Sequence, residues 1–98
     1  MAAGRHEATL RPPADPIRCG RKALDIAHLC TLTPLSESVV REIDPALTRL
    51  LQRAERNVRA QVALRLADCS WAPLEAVRIL AFDEVSVARP ILERSPRL

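Results

Sequence analysis

The sequence predicts an all-α protein: a short solenoid of about six helices stacked as three hairpins. Three observations point there. Apolar residues recur at helical spacing along most of the chain. Residues that open helices (Ser, Asn, Asp and Pro) fall just ahead of these apolar stripes. The second half of the chain also repeats itself at an offset of 29 residues.

The elements follow in order. Residues 1–16, MAAGRHEATLRPPADP, hold three prolines and no sustained period, which predicts a flexible tail packed against nothing. The helical-repeat domain is expected over 17–98, opening with a helix that starts at Ile17 or Arg21 and ends near Thr31. Ala23, Leu24, Ile26, Ala27 and Cys30 share one face of it, and Arg21, Lys22, Asp25 and His28 share the other. Leu29, on the polar side, is the exception. Thr33-Pro34 ends this helix. A short one follows over 35–43, with Ser36 as N-cap and Leu35 stapled against Val40. Asp44-Pro45 then reads as a cap followed by proline at the first helical position, where its missing N–H costs nothing. Leu47, Leu50, Leu51 and Ala54 form the stripe of that helix, 45–54.

The repeat fixes the rest. At the offset of 29, Arg49 meets Arg78, Leu51 meets Leu80, Glu55 meets Glu84, Val58 meets Val87 and Arg65 meets Arg94. Asn57 and Ser86 coincide as N-caps, and the Ala72-Pro73 opening echoes Asp44-Pro45. The expected units are therefore 45–54 with 58–68, then 73–82 with 87–95. With Ser86 as N-cap, Pro90 is the fourth helical residue, so its absent N–H is an orphan donor in any case. Ser95-Pro96 resembles a third opening, two residues before the chain stops.

Composition narrows the function classes. The chain is 48% hydrophobic but holds one Phe and one Trp, so its core must be aliphatic. The net charge of +3 is carried by residues 1–22, while 23–98 balance ten arginines against ten acids. A neutral body without aromatic platforms argues against nucleic acid. No apolar run approaches a membrane span and no signal-peptide pattern opens the chain, so a cytoplasmic setting is expected. Three cysteines at irregular spacing argue against a disulfide framework, and Cys30 and Cys69 read as small buried hydrophobes.

The segment AERNVRAQVALRLAD, 54–68, resembles the second helix of a HEAT-type repeat, in which Val-Arg precedes small and aliphatic residues. The run APLEAVRILAFDEVSVARPILERSPRL, 72–98, resembles an uncharacterised alphaproteobacterial family of helical-repeat proteins with a similar LA-x-D-x-x-x-VA-x-P-[VI]-L-x-x-S segment. The resemblance is close over 72–95 and loose over 21–98. It implies a HEAT-like fold and supplies no activity or catalytic residues. Members of that family continue with more helices, so the chain reads as a fragment or truncated relative, cut at the C-terminal end.

HEAT-like repeats also imply a ladder between units, Asp in the turn and Arg after the Val of the second helix. Its two halves are split here: Arg59 has Ala54 at its own turn, and Asp83 has Ala88 on its own helix. Arg59 falls within the apolar arc of its helix, where an unpaired charge is costly, so it either pairs with Asp83 or carries its guanidinium past the arc to solvent.

Catalytic and metal readings fail on spacing. His28 and Cys30 stand about 200° apart on a helix, and Cys19 and Cys69 complete no zinc pattern. Neither a phosphate loop nor a hydrolase motif is present, and no cofactor or small-molecule substrate is implied. Trp71 reads as a plug between units or as an exposed anchor. The expected function is a non-enzymatic interaction module that takes a protein partner or self-associates. The alternative is a regulatory or nucleic-acid-associated domain acting through the basic tail. Val87, Ala88, Ile91 and Leu92 of the final helix are expected to face their own unit. A final repeat with nothing to cover it should leave an apolar edge, for which Trp71, Leu74, Val77 and Phe82 are the candidate surface.

Overall fold

The computed structural model describes residues 15–98, and residues 1–14 of the expected tail lie outside them. Five helices occupy the described residues: α1 (Pro16–Leu32), α2 (Glu37–Arg53), α3 (Arg56–Leu66), α4 (Leu74–Ala81) and α5 (Val85–Arg94). No strand occurs among them.

The helix starts show local chemistry at work. Asp15 caps α1, its Oδ1 accepting from the amides of Ile17 at 3.1 Å and Arg18 at 3.2 Å, and Pro16 takes the first helical position. The last two residues assigned to the tail therefore build the first helix. Ser36 caps α2 by accepting from the Val39 amide at 3.3 Å.

The expected break at Pro45 is absent, and the helices assigned to 35–43 and 45–54 are one helix. The reason is energetic. Val40, Ile43, Leu47 and Leu51 form one stripe across the proline, and all but the half-buried Ile43 are buried. An interior proline costs about 3 kcal/mol, whereas each buried aliphatic side chain contributes about 1.5–3 kcal/mol. Pro45 itself is exposed, and the bond it forfeits is the one to the Arg41 carbonyl.

The later helices start within two residues of the expected Asn57, Pro73 and Ser86, but from other caps. Glu55 and Glu84 stand at the cap positions, and Asn57 and Ser86 lie inside the first turns. Pro90 is thus the sixth residue of α5, not the fourth, so the Ser86 carbonyl does lose its helical partner. Burial of the proline ring offsets that loss.

Two rows of helices result. α3 packs between α1 and α5 in one row, and α2 lies beside α4 in the other. The hairpins that span the rows are α1–α2 and α4–α5. α2 and α3, joined by a short turn, make no extended contact, so the expected unit of 45–54 with 58–68 is not a packed hairpin. The core between the rows is aliphatic, with Leu47, Leu51, Leu66, Leu80 and Ile91 as its largest members. At the α1–α3 crossing Gly20 is buried, and a Cβ there would stand 3.2 Å from Val58 Cγ1. The absent side chain is what lets these two helices approach.

Candidate functional site

Arg59 and Asp83 meet. Arg59 Nε donates to Asp83 Oδ2 at 2.7 Å and Nη2 donates to Oδ1 at 3.2 Å, a two-pronged pair. Nη1 donates to the Ala54 carbonyl at 2.8 Å, so one guanidinium joins the α2–α3 turn to the α4–α5 turn. The side chains are 21% and 14% exposed, enough shielding for the pair to matter. The Arg59 hydrogen bond holds the Asp83 carboxyl below the usual carboxylate range, outweighing desolvation, and the same bond raises Arg59 further.

Two further ion pairs join the same helices. Arg56 reaches Glu84 at 3.4 Å near their N-termini, and Arg94 reaches Asp68 at 3.0 Å near their C-termini. α3 and α5 therefore run parallel. These outer pairs are exposed and contribute little, whereas the Arg59 pair anchors the boundary.

Three long-range side-chain contacts were not legible in the sequence. Asp44, in mid-α2, accepts from the amides of Glu75 at 2.9 Å and Ala76 at 3.0 Å, and so caps α4. Pro73 precedes that helix and has no side chain with which to cap it. Trp71 Nε1 donates at 2.8 Å to the Cys30 carbonyl in the last turn of α1. Arg97 Nε donates to the Ala72 carbonyl at 3.0 Å, tying the chain beyond α5 to the approach to α4. The one available signal was Asp-Pro itself, which marks a cap but not the helix it caps.

The four residues expected to form an apolar surface do not lie together. Val77 is fully buried in α4 and Trp71 packs against the core as a plug, which corrects both as surface anchors. Leu74 is half-buried. Only Phe82 stands in solvent, 90% exposed at the end of α4. Val85, 70% exposed, and Leu92, 61% exposed, are the exposed apolar residues of α5 itself. Leu92 was expected to face its own unit. At about 100° per residue Leu92 stands about 140° from Val87, so residues 85, 89 and 92 form the outward stripe, while Val87, Ala88 and Ile91 turn inward. Grooves flank this stripe. One of about 320 Å³ runs beside Ala81, Asp83 and Ala88, and another of about 630 Å³ runs beside Ala60, Leu64 and Pro90.

The described residues offer little reactive chemistry. Burial, with Cys69 adding to it, pushes the Cys30 thiol up to about 11, and burial raises Cys69 too, so both stay protonated at neutral pH. No group of three or more His, Cys, Asp or Glu side chains among the described residues is placed to hold a metal ion. No described helix is long and apolar enough to cross a membrane. No known family, curated protein or solved structure matches the chain.

Proposed function

We propose that the chain is a non-enzymatic, HEAT-like interaction module that docks a protein, a second copy included, on the outer side of α5. The observation that carries this reading is the exposed pair Val85 and Leu92, which line a groove on the outer side of α5, with a second groove beyond Val85 and Phe82 bare at the end of the preceding helix. Exposed apolar patches rimmed by polar residues mark association sites. Here Arg89 and Glu93 supply the rim. The repeat reading is supported by α3 and α5, which begin 29 residues apart and lie parallel, tied near both ends. The resemblance to the alphaproteobacterial helical-repeat family belongs to the same proposal.

Sedimentation velocity across a concentration series tests it. The expected result is a sedimentation coefficient that rises with concentration, and that stops rising in a Phe82→Glu, Val85→Glu double variant of unchanged melting temperature. A monomer at every concentration that binds no dye specific for exposed apolar surface would overturn the reading.

A further inference from the structure

We propose that the groove between α1 and α2 is a second docking site, and that its occupant is a short acidic amphipathic helix of a partner protein. This open groove of about 620 Å³ lies on a different part of the molecule from the α5 stripe. Its floor is apolar, with Ile26 and Leu50 packed against the core, Ala46 half-buried beside them, and all three still partly in solvent. Its walls carry Lys22, Arg49 and Arg53 against a single acid, Asp25.

The charge distribution identifies the occupant. Arg41, Arg56, Arg59, Arg78 and Arg94 all hold carboxylate partners within the chain. Lys22, Arg49 and Arg53 hold none among the described residues. Arg18, Arg21, Arg65, Arg89 and Arg97 also form no ion pair among the described residues but lie outside the groove, so what marks the groove is three such cations set around one apolar floor. Carboxylates beside aliphatic side chains complement that arrangement. A nucleic-acid strand would need stacking platforms, and no aromatic residue lines the groove. The chain's own residues 1–14 carry Arg5 and Arg11 against Glu7, the wrong sign for this rim.

The spacing sets the occupant's shape. On α2 the lining residues are Ala46, Arg49, Leu50 and Arg53, two turns of helix and about 10 Å of groove. That length accepts two apolar anchors one turn apart, the helix-in-groove mode of recognition. Arg49 and Arg53 stand one turn apart on one rim, so the partner's carboxylates belong on one flank at the same spacing. The α1 wall balances Lys22 against Asp25, whereas the α2 wall carries Arg49 and Arg53 with no acid, and that difference between the walls orients the helix.

The test uses the full chain and three fluorescein-labelled, helix-forming peptides of roughly 16 residues. Each carries two leucines one turn apart, with Glu, Gln or Lys as the flanking pair. Fluorescence anisotropy should show the Glu peptide binding about tenfold tighter than the Gln peptide, from two partly exposed ion pairs. The Lys peptide should bind weakest. Amide chemical shifts should move around Ile26 and Leu50 and stay still on α5. An Arg49→Glu, Arg53→Glu double variant, checked for unchanged helicity, should invert the order of the Glu and Lys peptides. No binding by the Glu peptide, equal affinity for Glu and Lys peptides, or shifts confined to α5 would each overturn the proposal. So would co-sedimentation with phosphatidylglycerol vesicles that the double variant loses while no peptide binds, which would make the groove a membrane-surface site. A failure here leaves the α5 reading untouched, because the two sites share no residue.

Discussion

The segments 37–66 and 74–94 each hold a helix, a turn and a second helix, and their second helices begin 29 residues apart, yet they are built differently. In the later segment the two helices pack on each other, and Pro73 stands just before the first. In the earlier segment the helices diverge, and the matching proline, Pro45, sits inside an unbroken helix. The polar clasp is also unequal, with Arg59 in one segment and Asp83 in the other, so that the pair forms between segments and not within either. Aligned residues share a position without sharing a role. What each does depends on whether an apolar stripe runs on across it.

The largest expected effect comes from breaking the clasp. Asp83→Ala should destabilise the fold by about 2–3 kcal/mol, because Arg59 is left half-shielded without its carboxylate. Chemical denaturation measures this, and a loss equal to that of exposed pairs such as Arg56–Glu84 would mean the two segments are not clasped there. The same carboxylate sets an acid limit. Its folded pKa lies below the unfolded value, so its contribution is complete above the unfolded value of about 4 and is lost as pH falls through the lower folded value. Asp83→Asn should therefore flatten the decline in stability of the parent protein below about pH 4.

The two interior prolines sharpen the contrast next. Pro45→Ala restores a helical hydrogen bond at an exposed site and should stabilise by about 2 kcal/mol, after allowing for the entropy that proline removes from the unfolded chain. Pro90→Ala restores a bond but empties buried space, so its net change should lie near zero, about 0 ± 1 kcal/mol. Equal gains at both sites, read as melting temperatures, would show that burial of the Pro90 ring contributes nothing.

Asp44→Ala removes the cap of α4 from a distance and should cost about 1 kcal/mol. Hydrogen exchange at Glu75 and Ala76 should rise more than exchange within α2, where the substituted residue sits. The smallest change is Gly20→Ala. Its helix-propensity gain of about 1 kcal/mol is opposed by a 3.2 Å contact with the half-buried Val58, leaving a net stabilisation of about 0.5 kcal/mol or less. A loss beyond about 1 kcal/mol would instead mean that the α1–α3 crossing cannot give way.

Helix identity was largely legible in the sequence. The face of α1, the Ser36 cap, and the starts of α3, α4 and α5 to within two residues all follow from period and punctuation. Partnership was less so. Arg59 could be matched to Asp83 through the ladder that the HEAT-like resemblance implies, while the apolar arc made an unpaired charge costly there. Asp44 and Trp71 act on helix ends more than 30 residues away, and no local pattern announces which helix end lacks a partner. The outward place of Leu92 was misread although the spacing carries it, since at about 100° per residue it stands about 140° from Val87. Propensity at Pro45 pointed to a break, and tertiary burial of Leu47 and Leu51 overrode it.

Trp71 gives the protein an internal optical reporter. It is the only tryptophan, and its indole N–H donates to the carbonyl of Cys30, 41 positions earlier in the chain and at the end of α1. Its emission therefore follows one event, the seating of the α3–α4 connection against α1, and not an average over the fold. Emission and far-ultraviolet circular dichroism that change together on unfolding would describe a single cooperative unit. Emission that shifts first would show the molecule opening at this seam while the α4–α5 hairpin still holds.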